Sequence, residues 1–359
     1  MLVRSQSVIH MVEKHGRRRL LPPGFTGDLA SRYGVVMAWI LVIVVFSILQ
    51  PETFATWGNF QTIFGSQAVL LILALGLLPS LRVGEIDLSF AGVMTVAIVL
   101  VGYLSVDVGW PIGAAAAAAL LAGAVAGFIN AFLVVNVGLN CIVVTLGTGT
   151  LLGGLAVAIN LETVTGISPV LVDAVRTQVL GLPLAFWYGV LLTTLVWYVF
   201  KYTPLGRYLQ FSGVGPEVAR LSGIRVDAIR FGSLMTASIV AALAGVVLTG
   251  TLGAANPRIG LAYLLPAFSA AYLGSTVISP GRFNAWGTFV AVYFLVTGIT
   301  GLELLGLSGW ISDVFYGASL VLAITFSHLL AQFQDRRRDR RVASLRDDPR
   351  QQPTEASTR

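Results

Sequence analysis

The sequence predicts an all-α fold, a polytopic transmembrane helical bundle of about ten spans with the N- and C-termini cytoplasmic. Three observations lead to this prediction. Hydrophobic residues make up 56% of the 359-residue chain and charged residues only 11%, whereas soluble domains carry about 25% charged residues. Apolar runs of about 20 residues, the length that crosses a bilayer as a helix, recur along the chain. Most basic residues lie in a few short segments outside those runs.

The basic segments set the expected orientation. Of the 23 Lys and Arg residues, 19 lie in 1–34, 201–232 and 331–359. Basic loops stay on the cytoplasmic side of a membrane, so an even number of spans places all three segments inside. The same rule accounts for the net charge of +6 without a nucleic-acid partner, although a basic arm that binds RNA or DNA is the alternative.

The chain is expected to contain a basic N-terminal tail (1–32), a transmembrane domain (33–330) and a charged C-terminal tail (331–359). An amphipathic stretch is predicted at 54–64 and a polar loop at 161–178. The predicted spans are 33–49, 66–81, 88–104, 111–135, 141–160, 180–200, 232–252, 263–278, 284–300 and 310–330.

The span 111–135 is rich in alanine and glycine. Gly113, Ala117, Gly123 and Gly127 recur near helical spacing, and small residues at such spacing allow helix backbones to approach closely in lipid. We therefore expect these four positions to face a neighbouring helix.

The most informative interruption is Gly84-Glu85-Ile86-Asp87-Leu88-Ser89, where two carboxylates separate two apolar runs. Charge inside a membrane is costly, and broken helices often line transport pathways. An ordinary cytoplasmic turn is the alternative, and a third possibility is that the carboxylates cap the following helix.

Polar residues inside or beside the spans are candidates for a substrate pathway, although a hydrogen bond between helices is the commoner role of a lone polar residue in a span. The candidates are Glu85, Asp87, Asn130, Asn140, Thr145 and Asn256.

A second interruption, 201–231, is long and basic. Pro216 is suited to start a short helix and Gly223 to end one, so a helix over about 216–222 is predicted at the membrane surface. This helix either docks a cytoplasmic partner or is merely an amphipathic interfacial segment.

Several short motifs occur in a familiar order. They are Ala74-Leu75-Gly76, Glu85-Ile86-Asp87-Leu88-Ser89, Asn130 within Gly-Phe-Ile-Asn-Ala-Phe-Leu-Val, Ile142-Val143-Val144-Thr145-Leu146-Gly147-Thr148, Thr203-Pro204-Leu205-Gly206-Arg207, Ala219-Arg220-Leu221-Ser222-Gly223-Ile224 and Leu273-Gly274-Ser275-Thr276. Over about 55–330, this set resembles the permease subunits of ribose-type ABC transporters, the binding-protein-dependent transport system inner-membrane components. Glu85 stands where the family has the second of two glycines, and the sequences around Pro266 and 279–284 also depart from the family, which leaves the substrate open.

The resemblance implies a permease that imports a monosaccharide or related polyol across the bacterial inner membrane by alternating access. It also implies a second permease chain, identical or related, a cytoplasmic ATPase subunit and an extracytoplasmic solute-binding protein. Contact with the ATPase would fall on the coupling loop, 201–231. The residues that the resemblance assigns to this contact are Leu205, Gly206, Arg207, Glu217, Arg220, Leu221, Ser222 and Gly223.

The chain itself is not expected to be an enzyme or to hold a cofactor. No Gly-x-x-x-x-Gly-Lys-[Ser/Thr] phosphate loop occurs, so ATP and Mg would bind to the partner subunit. The single cysteine, Cys141, has neither a disulfide partner nor metal-ligand spacing. An ion-coupled secondary transporter, an ABC permease for a nucleoside-like cargo and a membrane-embedded enzyme are the rival hypotheses.

Overall fold

A computed structural model describes residues 25–307 and 309–326 of the chain. The predicted tails 1–32 and 331–359 lie outside the described residues, except that residues 25–32 form the beginning of the first helix. The helices are α1 (Phe25–Leu49), α2 (Trp57–Ser66), α3 (Ala68–Arg82), α4 (Phe90–Gly102), α5 (Ile112–Ala131), α6 (Cys141–Ile159), α7 (Pro169–Arg176), α8 (Leu184–Tyr202), α9 (Pro204–Val214), α10 (Pro216–Leu221), α11 (Val226–Leu252), α12 (Leu264–Gly274), α13 (Ala285–Leu304) and α14 (Trp310–Phe326).

Several of these helices are extended or joined by irregular turns. A π-helical turn prolongs α4 over Tyr103–Asp107, another prolongs α5 over Phe132–Asn136, and a 3₁₀ turn, Gly260–Tyr263, leads into α12. Seven helical runs in the described chain are long and apolar enough to cross a membrane. They are Trp57–Arg82, Phe90–Asp107, Ile112–Asn136, Cys141–Ile159, Leu184–Tyr202, Val226–Leu252 and Ala285–Leu304.

Three shorter apolar helices, Tyr33–Leu49, Gly260–Gly274 and Trp310–Phe326, occupy positions at which the sequence predicts further spans. The prediction of a mostly helical chain with several apolar helices long enough to cross a membrane is therefore confirmed.

Two-residue strands occur only in the connections of the described chain. β1 (Val164–Thr165) pairs antiparallel with β4 (Ala254–Ala255), and β2 (Gln178–Val179) pairs antiparallel with β3 (Leu182–Pro183). The first pair joins the segment after α6 to the segment after α11, so it links two connections that are distant in sequence.

The centre of the bundle is α3. Every residue of α3 except Pro79 and Arg82 is buried, as expected for a helix that is apolar on all faces. α11 packs against α3, α4 and α5, whereas α8, α12 and α13 also contact α3. Residues 83–89 follow the C-terminal end of α3, and residues 204–221 precede α11.

Small residues do allow close packing between α5 and α11. A Cβ atom added at Gly123 would lie 2.5 Å from the Cβ of Ala242, and one added at Gly127 would lie 2.8 Å from the Cβ of Ser238. Gly113 contacts no described residue in this way and Ala117 is exposed, so the expectation holds at Gly123 and Gly127 and is wrong at Gly113 and Ala117.

Two connections contain more helix than the sequence predicted. The amphipathic stretch at 54–64 was expected to be separate from the next span, but α2 continues into α3 with a single interruption at Gln67. Within the predicted polar loop 161–178, Pro169 begins α7, because a proline at the first helical position forgoes no helical hydrogen bond.

Candidate functional site

Between α3 and α4 the chain is not helical over residues 83–89, which we call the break. Gly84 turns the chain with a φ of +86°, a conformation that glycine adopts without steric cost. Glu85, Asp87 and Ser89 are only 7%, 0% and 0% exposed. The break is therefore a buried polar segment rather than a solvated turn.

The backbone of the break is held by α6. The amide of Leu88 donates a hydrogen bond to Thr145 Oγ1 at 3.0 Å, and the Thr145 hydroxyl donates to the carbonyl of Cys141 at 2.7 Å. The carbonyl of Ile86 accepts from the Cys141 thiol at 3.3 Å. Since buried backbone groups need partners, the first turn of α6 fixes the non-helical conformation.

Asp87 forms the centre of a buried polar cluster. Its Oδ1 atom accepts from the backbone amide of Ser89 at 2.8 Å and from the Ser89 hydroxyl at 2.6 Å. Asn130 on α5 donates from Nδ2 to Ser89 Oγ at 2.8 Å. Asp87 Oδ2 and Asn130 Oδ1 are buried without a hydrogen-bond partner. The cluster thus has two free acceptor atoms, which suit a donor such as water or a hydroxyl group.

Glu85 is paired with α11. Arg230 donates from Nε to Glu85 Oε1 at 2.6 Å, and the two side chains are 26% and 10% exposed. The amide of Glu85 also donates to the carbonyl of Ser80, at 2.9 Å, which ties the residue to the end of α3. A carboxylate can be buried here because a guanidinium neutralises it directly.

The structure places the other two pathway candidates elsewhere. Asn140 is the N-cap of α6, where its Oδ1 accepts from the amide of Val143 at 3.3 Å. Asn256 accepts from the amide of Arg258 at 2.9 Å in the connection after α11. Arg230 and Asn256 lie near opposite ends of α11, a helix about 40 Å long at 1.5 Å per residue.

Four of the six predicted pathway residues therefore meet at the break, and these are Glu85, Asp87, Asn130 and Thr145. Sequence reasoning missed Ser89, Cys141 and Arg230 as parts of this site. Ser89 was visible within the motif Asp-Leu-Ser, and Arg230 as a basic residue just inside an apolar helix. The contact of Cys141 with the break carried no sequence signal. Among the described residues, no group of three His, Cys, Asp or Glu side chains is placed to hold a metal ion.

Helices α9 and α10 form a second candidate surface, which we call the docking surface (204–221). It exposes large apolar side chains in a segment between two apolar helices. Val214, Val218 and Leu221 are 78%, 69% and 90% exposed. The predicted short helix is confirmed as α10, and Gly223, with a φ of +81°, follows its end.

Charged side chains organise α10. Arg220 donates from Nη1 to Glu217 Oε1 and from Nη2 to Asp227 Oδ1, each at 2.9 Å. The hydrogen bond that Arg220 donates to Asp227 and the negative charge of Asp227 raise the pKa of Arg220 above its ordinary value. Arg220 therefore links α10 to the first turn of α11 through solvent-exposed ion pairs.

The remaining predicted coupling residues lie on or beside this surface. Leu205 and Arg207 are exposed on α9, and Gly206 packs against the backbone of Phe200. Ser222 donates its hydroxyl to the carbonyl of Val218 at 2.9 Å. All eight residues thus belong to one continuous stretch of the described chain.

α9 lies directly against the end of α3. A side chain at Gly213 would overlap the carbonyl oxygen of Arg82, so only glycine allows this approach. The guanidinium of Arg82 stacks over the ring of Phe200, 3.8 Å from its centroid, and donates from Nε to the carbonyl of Phe283 at 3.0 Å. The docking surface and the break therefore share a contact at the end of α3.

Comparison with known proteins identifies the family to which the chain belongs. Residues 59–324 match the family model described as branched-chain amino acid transport system / permease component. The autoinducer 2 import system permease protein LsrD of Photorhabdus laumondii is 29% identical over 335 residues, which cover 88% of this chain and 100% of the relative.

Two further relatives have similar coverage. The D-allose transport system permease protein AlsC of Escherichia coli is 26% identical over 84% of this chain and 93% of its own length. The ribose import permease protein RbsC of Haemophilus influenzae is 27% identical over 82% of this chain and 92% of its own length. No solved structure matches the chain.

Proposed function

We propose that this chain, which belongs to the family described as branched-chain amino acid transport system / permease component, is the permease of an ATP-driven importer. We further propose that its cargo is a monosaccharide or a related carbohydrate. The resemblance to ribose-type ABC transporter permeases is confirmed, and the chain is a transport subunit, not an enzyme. The observation that carries the cargo proposal is the set of full-length relatives, whose names specify autoinducer 2, D-allose and ribose.

We propose ten spans with both termini cytoplasmic, in the inner membrane of a bacterium. Seven long apolar helices and three shorter ones account for the ten. An even number of spans keeps the basic segment 201–231 and the basic C-terminal segment on the same side as the N-terminus, which the positive-inside rule favours. The break and the docking surface then face the cytoplasm.

The docking surface is the part of the chain best suited to receive a cytoplasmic ATPase subunit. Exposed apolar residues on α10 offer area that a partner can bury, and Arg220 links α10 to α11 through an exposed ion pair with Asp227. ATP and Mg would bind to that partner. Substitution of both Arg220 and Gly223 is expected to abolish uptake while the chain stays inserted in the membrane.

The break is proposed as the cytoplasmic part of the substrate pathway. Asp87 and Asn130 keep free acceptor atoms in the interior, and free acceptors suit the hydroxyl groups of a sugar. Asn140 and Asn256 stay candidates at the two ends of the pathway. A second permease chain would complete the pathway, and an extracytoplasmic binding protein would deliver the cargo, so the pathway itself needs little affinity.

An uptake assay tests the function. The permease is reconstituted in liposomes with the ATPase and the binding protein of its importer, and uptake of labelled D-ribose, D-allose and autoinducer 2 is measured. Uptake of one of them is expected to require internal ATP and to stop with a hydrolysis-deficient ATPase. Uptake by the permease alone under an ion gradient would contradict the proposal.

A further inference from the structure

Charged side chains of alternating sign form a row from the docking surface to the break. Glu217 and Arg220 lie on α10, Asp227 and Arg230 on α11, and Glu85 in the break. Successive nitrogen–oxygen distances are 2.9 Å, 2.9 Å, 4.0 Å and, at Glu85, 2.6 Å. We call these five residues the charge chain.

The inner end of the charge chain is firmly held. The side chain of Glu85 is 10% exposed and pairs with Arg230, while its amide is bonded to Ser80 in the last turns of α3. A partly buried ion pair resists separation, because removing one partner leaves an uncompensated charge in the interior. Movement of Arg230 is therefore transmitted to Glu85, and with it to the backbone of the break.

The outer end of the charge chain is adjustable. Glu217 and Asp227 are 81% and 59% exposed, and exposed ion pairs contribute little to stability. Asp227 bonds Arg220 at 2.9 Å but lies 4.0 Å from Arg230, so it is poised between two cations. A small displacement of α10 moves Arg220 and thereby brings the Asp227 carboxylate closer to Arg220 or to Arg230. The electrostatic attraction between Asp227 and Arg230 changes as a result.

We propose that the charge chain transmits movement of α10 to the break, with Glu85 as a positioning residue at its inner end. The proposal rests on the proposed function, since it needs a partner that moves α10. It assigns a role to Glu85 that differs from that of Asp87, because Asp87 forms no ion pair in the described structure.

Cys141 is a natural reporter for movement of the break. It is the only cysteine of the chain, it is 8% exposed, and its Sγ atom lies 3.3 Å from the carbonyl of Ile86. If the break moves away from α6, the thiol becomes accessible. Its rate of alkylation therefore measures the conformation of the break without an introduced label.

The experiment uses the complex of permease, ATPase and binding protein in lipid nanodiscs. Alkylation of Cys141 by N-ethylmaleimide is followed by the mass of the permease chain, without nucleotide and with ATP and vanadate. The wild type is expected to change its labelling rate about fivefold or more between the two states, the lower range of allosteric couplings. Glu85→Gln and Arg230→Gln are expected to reduce this change to less than about twofold, since each breaks the ion pair.

Controls separate loss of coupling from loss of fold. Both substitutions are expected to leave ATP hydrolysis and co-purification of the ATPase intact. A cation at position 230 is expected to preserve part of the nucleotide response in Arg230→Lys. The exchanged pair, Glu85→Arg with Arg230→Glu, is expected to restore at least part of it. Glu162→Gln makes the same change at an exposed carboxylate outside the charge chain, and it is expected to leave the nucleotide response of Cys141 labelling intact.

Two results would overturn the inference alone, while ATP-dependent uptake stands. One is a nucleotide response that persists in Glu85→Gln, and the other is a wild-type labelling rate that does not respond to nucleotide. A wild-type complex that hydrolyses no ATP and takes up no cargo would instead contradict the proposed function.

Discussion

The break and the docking surface invert the usual distribution of residues in opposite ways. The break buries polar and charged side chains such as Asp87 and Glu85, whereas the docking surface exposes apolar ones such as Val218 and Leu221. Burying polar groups costs free energy unless they are hydrogen-bonded or paired, and large apolar side chains exposed to water mark surfaces that another molecule covers. The break finds most of its partners within the chain and leaves only the acceptor atoms Asp87 Oδ2 and Asn130 Oδ1 of its polar cluster open, whereas the apolar side chains of the docking surface stay uncovered by the chain itself. Substitutions in the two regions should therefore affect different measurements.

The largest effect on stability is expected from Asp87→Leu. Leucine cannot accept the hydrogen bonds from the amide and hydroxyl of Ser89, so two buried donors lose their partner. Unsatisfied buried donors cost about 1–3 kcal/mol each, so we expect a loss of about 3 kcal/mol in the free energy of unfolding. The measurement is unfolding by SDS in mixed micelles.

Asp87→Asn is the matched variant for this test. It keeps an Oδ1 acceptor, so it should lose less than half as much stability as Asp87→Leu. If the two variants are equally stable, Asp87 does not hold the break through Ser89, and the contrast between the two regions loses its basis.

A smaller loss is expected from Gly213→Ala, at the contact between the two regions. The added methyl group overlaps the carbonyl oxygen of Arg82, so α9 has to move away from the end of α3. Overpacking of this kind costs about 1–3 kcal/mol, and we expect a value near the lower limit because Gly213 lies at the surface. The fractional loss of ATP-dependent uptake is expected to exceed the fractional loss in the free energy of unfolding, because the contact joins the two regions.

Gly232→Ala provides the control for that substitution. No described atom lies within 4 Å of a Cβ added at Gly232, so neither stability nor uptake should fall. Equal uptake by the two alanine variants would mean that the contact of α9 with α3 carries no coupling.

The sequence predicted the apolar helices better than the connections between them, for a physical reason. Long apolar runs have one stable form in lipid, a helix. The connection around α7 depends instead on long-range contacts such as the pairing of Val164 with Ala255, which brings together segments about 90 residues apart and has no local signal.

The candidate site was predictable to the same limited extent. The Asp-Leu-Ser motif and lone polar residues pointed to Asp87, Asn130 and Thr145, because polar groups in apolar spans are conspicuous. That these groups meet at the break, and that Arg230 pairs with Glu85, follows from the packing of α5, α6 and α11 around α4. Such pairing over 145 residues of sequence is set by tertiary structure alone.

The smallest effect on stability, and a large one on assembly, is expected from Leu221→Ser. Leu221 is 90% exposed, and substitutions at exposed positions change the free energy of unfolding by less than about 0.5 kcal/mol. An apolar anchor buried in a partner contributes about 2 kcal/mol or more to binding, which corresponds to a loss of affinity of about 30-fold. The affinity of the detergent-solubilised permease for its ATPase subunit is the measurement.

Val170→Ser serves as the control, because Val170 is also exposed, at 68%, but lies on α7 away from the docking surface. If both serine variants bind the ATPase as the wild type does, the exposed apolar face of α10 is not where the partner docks, and the contrast with the break would then have to be explained by lipid contact.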